Sequence, residues 1–175
     1  MKKLICALLC VLMLATALVA CDKAPSEQPE ATLKMGLGVY TATPTTTDAT
    51  EEKDGQGKVA ITAAVISVDA DGKVVACQLD TADLTVKFTA DGKAIANDGF
   101  KTKYEQGADY NMVTYGGAAK EWFEQADAFN ALCVGKTATE IKALCAADNY
   151  GTDEVKTAGC TILVNGLTKA AAKIG

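Results

Sequence analysis

Residues 58–79, KVAITAAVISVDADGKVVACQL, decide the fold. Residues 58–68 are rich in β-branched side chains, Asp69-Ala70-Asp71-Gly72 supplies turn chemistry, and 73–79 run back, so the stretch reads as an antiparallel hairpin. The same turn recurs as Ala90-Asp91-Gly92-Lys93, between strand candidates at 85–89 and 93–96. Two matching turns extend the hairpin into a meander, and the lack of a third copy excludes a solenoid. Upstream, residues 38–43 form a short strand candidate, and 44–57 form a Thr-rich, acidic loop with no periodicity.

Beyond this sheet the apolar period changes. Between 117 and 134, Ala118, Trp122, Ala126, Phe129 and Cys133 fall at helical spacing, and Gly135 is placed to end the helix. Thr137-Ala138-Thr139-Glu140 is a capping box that opens a second helix through about Ala146. Residues 149–159 are turn-rich, and 167–174 predict an alanine-rich terminal helix capped by Asn165. Strands first and helices after imply an α+β fold: antiparallel hairpins packed with two to three C-terminal helices, not a doubly wound parallel sheet.

Two lysines, an apolar run too short for a stable membrane span, and Leu18-Val19-Ala20-Cys21 open the chain. This is the pattern of a secretory signal, and the cysteine after small residues resembles the lipobox of bacterial lipoproteins. The reading makes 1–20 a signal peptide, Cys21 a diacylated N-terminus, 21–34 a flexible tether, and 35–175 one domain. Two acyl chains would then hold that domain on the extracytoplasmic side of a cell membrane.

Composition removes several chemistries. The chain has 17 basic residues, all lysine, against 22 acidic ones and no histidine. Loss of Lys2 and Lys3 with the signal would leave a net charge of −7. Nucleic acid is therefore not an expected partner, because lysines alternate with acids and form no basic face. Missing histidine and arginine argue against hydrolytic triads, zinc sites and a bidentate phosphate clamp, so neither a catalytic nor a metal residue is assigned. Of seven cysteines, Cys77, Cys133, Cys145 and Cys160 remain in the domain without a CxxC pair. Buried free thiols are the expectation, and disulfide pairing is left open.

Ala158-Gly159-Cys160-Thr161, ahead of the terminal helix, is the tetrapeptide that carries chemistry. It resembles the Ser-Gly-Ala-Thr signature of the FMN-binding domain superfamily, found in the sodium-pumping quinone reductase and in Gram-positive extracellular electron-transfer lipoproteins. In those domains a flavin transferase joins FMN through its phosphate to the threonine. Gly38-Val39-Tyr40, the stretch from Val68 through Asp71-Gly72-Lys73-Val74, and the alanine-rich 169–173 match other family features in order. The resemblance implies a membrane-anchored electron carrier, rather than a stand-alone enzyme, with Thr161 as attachment point and Ala158, Gly159 and Cys160 shaping its loop. Its implied partners are lipid through Cys21, a flavin transferase, and a redox protein or external acceptor. Tyr110, Tyr115 and Trp122 are candidates to cover the isoalloxazine.

Departures from the signature are visible. Ala158 stands for serine, Cys160 for alanine, and Val155 for the usual aspartate, with Asp153 and Glu154 just before it. They leave an alternative: a non-flavinylated surface lipoprotein of the same fold that binds a small ligand or serves as a scaffold. Residues 102–107 occupy the place of a family Glu-Thr-Pro-Gly turn, but only Glu105 agrees, so a surface turn is expected there.

Overall fold

The computed structural model describes residues 33–97 and 99–174, so the signal, Cys21 and nearly all of the tether lie outside the described residues. Strands β1 (Lys34–Ala42), β3 (Gly55–Val68), β4 (Val74–Phe88) and β5 (Ala94–Ile95) form an antiparallel sheet in that order, and the short β2 (Thr46–Thr47) pairs with β3. The α+β expectation is met, with strands in the N-terminal half and helices after them.

Both Asp-Gly turns form as read. Gly72 and Gly92 adopt φ of 76° and 79°, which a side chain disfavours. Asp69 Oδ1 accepts from the backbone N–H of Asp71 and Lys73 at 3.0 and 2.9 Å, which pre-pays part of the turn's hydrogen bonding. What the sequence split into two strands is a single β4. Its polar centre is tolerated because each group finds a partner: Thr81 Oγ1 meets Thr62 Oγ1 at 3.0 Å, Asp80 accepts from Tyr104 N at 3.3 Å, and Asp83 pairs with Lys103 at 3.1 Å.

Five α-helices follow among the described residues, two more than the upper expectation. α1 (Lys103–Gln106) is closed by a Thr102/Glu105 capping box and runs into a 3-10 turn (Gly107–Tyr110), where a surface turn was expected. α2 (Trp122–Cys133) begins five residues later than the apolar spacing suggested, because Glu121 and Glu124 form its capping box. The buried Glu121 carboxylate also accepts from Met112 N and Val113 N at 2.8 and 3.1 Å, tying the preceding loop to the helix start. α3 (Ala138–Ala143) has the expected Thr137/Glu140 box. α4 (Asp153–Thr157) was not anticipated. α5 (Asn165–Ala171) passes into a 3-10 turn (Ala172–Ile174), and Asn165 lies inside it rather than capping it.

The core lies on one side of the sheet, where α2 packs on β4 and α5 packs on β1 and β3. Thr62, Ala64 and Ile66 of β3 face these helices and are buried, whereas Val65 and its cross-strand neighbour Leu37 are exposed on the opposite face. Phe129, fully buried at the centre of α2, contributes about 2–3 kcal/mol by removal from water.

Candidate functional site

The four-residue signature is first a helix terminator. Ala158 caps α4, Gly159 takes φ 100°, Gly159 N donates to Lys156 O at 3.0 Å, and Cys160 N donates to Val155 O at 3.1 Å. This is a Schellman motif, and the buried Cys160 and Val155 supply its apolar contact. The turn hands Thr161 to the surface. Its backbone N–H and its hydroxyl both donate to Gln125 Oε1, at 2.8 and 3.0 Å. Gln125 is buried and fixed in turn, since its Nε2 donates to Lys120 O at 3.0 Å.

Thr161 and Gln125 line a cavity of about 400 Å³, whose walls include Trp122, Tyr110, Tyr150 and Lys103. A second hollow of about 300 Å³ shares Trp122, Lys103 and Leu163 and extends toward Tyr40 and Asp83. Lys103 stands between the two. Its side chain is only 13% exposed, and its Nζ lies 3.1 Å from Asp83, 5.0 Å from the Tyr110 ring centre and 5.4 Å from that of Trp122. Tyr104 meets Trp122 edge-on at 5.6 Å, and its phenol donates to Asp127 and accepts from Asn130 Nδ2. Burial, followed by the Asp127 carboxylate, raises the Tyr104 phenol above its ordinary value, so this prop of Trp122 stays neutral. Lys120 reaches over the signature: a Cβ on Gly159 would sit 3.0 Å from its Nζ.

Not every expected residue reaches this site. Cys160 points into the core: its side chain is fully buried, and burial pushes its thiol up to about 11. Neither the exposed Ala158 nor Gly159 lines the cavity, and Gly159 acts through its positive-φ backbone in the turn that presents Thr161. Tyr110 and Trp122 are walls, whereas Tyr115 is 84% exposed and lies away. Glu105 is occupied by its capping box. Thr161 does not cap α5, whose N-cap is Val164, so no helix start backs the hydroxyl, and Lys120 is the cation nearest the turn's glycine. Sequence reading missed Lys103, Tyr150 and Gln125. A signal for Gln125 existed: it falls three residues after Trp122, on the buried stripe of α2, where a polar side chain needs a partner.

All four cysteines of the described domain are free thiols, and among the described residues no group of His, Cys, Asp or Glu is placed to hold a metal ion. No described helix is long and apolar enough to cross a membrane. No family model matches the chain, and no curated protein or solved structure matches it either.

Proposed function

We propose that this chain is a lipid-anchored electron carrier that holds FMN through a phosphoester at Thr161. The supporting observation is that the Thr161 hydroxyl opens on an aromatic-walled cavity of about 400 Å³, within the size range of small-ligand sites. The residues fit the group. Trp122, Tyr110 and Tyr150 offer apolar faces to a planar ring system, and Lys103 and Lys120 offer positive charge without any arginine. FMN, when bound, supplies the redox chemistry, and the protein sets its position and electrostatic surroundings. Gln125 holds the hydroxyl by its proton, so the oxygen's lone pairs stay available for ester formation. Once esterified, Thr161 keeps its N–H bond to Gln125 and loses only the side-chain bond. Anchorage rests on Cys21 and the residues before it.

A second reading is favoured by the hollow beyond Lys103, which lies away from Thr161, together with the altered positions 155, 158 and 160. It makes the protein a non-covalent small-ligand binder. Trp122, the only tryptophan, reports on both hollows. Under the carrier reading, protein co-produced with a flavin transferase shows quenched tryptophan emission and flavin fluorescence that survives denaturing electrophoresis. Fluorescence lost on denaturation in both the parent and Thr161→Ala would overturn the phosphoester and favour the binder.

A further inference from the structure

Two cysteines far apart in sequence lie at one interface, between β4 and α2. Cys77 stands on β4 opposite Ile66, on the face covered by α2, and Cys133 is the last residue of α2 and has no exposed surface. Two backbone hydrogen bonds clamp the chain just beyond α2 to the start of β4: Val74 N donates to Lys136 O at 2.9 Å, and Gly135 N donates to Val74 O at 2.8 Å. Cys77 lies just after this clamp and Cys133 just before it, so both main chains are held at short range. The Cys77 thiol donates to Asn130 Oδ1 at 3.8 Å, and Asn130 lies one helical turn before Cys133 on the buried face of α2.

We infer that Cys77 and Cys133 form a reversible dithiol–disulfide couple that takes an external disulfide as its oxidant. The half-buried Cys77 is the attacking thiol. Its sulfur displaces one thiol from the external disulfide and forms a mixed disulfide; Cys133 then gives up its proton and displaces the second. The two cysteines lose two electrons and two protons to make one S–S bond, and the external disulfide leaves as two thiols. Cys77 takes the attacking role because it keeps part of its surface, whereas Cys133 has none and can react only from within the interface. The other two thiols are placed differently. Cys160 is buried with its amide committed to the Val155 carbonyl, and the Cys145 thiol donates to Ala146 O at 3.5 Å. Oxidation would staple α2, which carries Trp122 and Gln125, to β4. The inference does not depend on flavin.

The test is to equilibrate the reduced full-length protein across a series of reduced-to-oxidised glutathione ratios, quench with acid, alkylate and map peptides. The expected result is that two of the four thiols at 77, 133, 145 and 160 disappear together, with one cross-linked peptide pair joining Cys77 to Cys133, and return on reduction. In Cys133→Ala, Cys77 should accumulate as a mixed disulfide with glutathione; in Cys77→Ala, Cys133 should stay a thiol because it is fully buried. Four alkylated thiols at the most oxidising ratio, or a bond involving Cys145 or Cys160, would overturn the couple.

Discussion

Gln125 is the residue on which the site turns, because one carboxamide oxygen satisfies both donors of Thr161. Gln125→Ala leaves those donors and a buried space behind and should destabilise the fold by about 1–3 kcal/mol in urea unfolding. Gln125→Glu keeps the acceptor for Thr161 but turns a second oxygen on the Lys120 carbonyl and buries a charge, so stability should not return, and under the proposed attachment its negative charge beside the Thr161 oxygen should also lower FMN incorporation. Glu140 gives a prediction in pH. Its carboxylate accepts from the Thr137 backbone N–H and hydroxyl, and these bonds hold it below the ordinary carboxylate value. A depressed folded-state value means that its contribution is complete above the unfolded value and fades as pH falls through the folded one. Urea midpoints measured on descending from neutral pH should therefore drop less for Glu140→Gln than for the parent, which starts from the higher value. At this scale the sequence was partly legible. Thr161 and Trp122 were visible from a motif and from spacing, whereas Lys103 was hidden because its partner Asp83 comes from a distant strand.

The elements differ in how their sequences announce them. α2 and α3 were legible because a buried stripe and a capping box act locally. α1 and α4 are four and five residues long, too short to show a period, and tertiary contacts hold them: Lys103 and Tyr104 of α1 bond to β4, and Val155 of α4 is fully buried. β4 was divided on paper because polar residues interrupt its apolar pattern, yet those residues bind across to β3 and α1. Removing the α3 cap with Thr137→Ala should cost about 1 kcal/mol, measurable as a shift of the urea midpoint with little change in slope.

Over the whole molecule, the change from strand period to helix period was enough to give α+β, because a sheet followed by helices must bury its apolar face against them. The one-sidedness of that burial makes a paired prediction. Ile66→Ala on the helix face should cost roughly 2–5 kcal/mol, whereas Leu37→Thr on the open face should stay within about 0.5 kcal/mol in the same unfolding experiment. The cavity itself was less legible, since it is assembled from α1, the 110–118 stretch, the start of α2, Tyr150 and the segment before α5, and only the last carried a motif. The assembly nevertheless converges on one hydroxyl. The most direct measurement is the intact mass and peptide map of the protein made with a flavin transferase present, alongside Thr161→Ala. A mass gain of one FMN that maps to Thr161 and disappears in the variant is the expected result. An unmodified parent mass, or FMN attached to another residue, would contradict it.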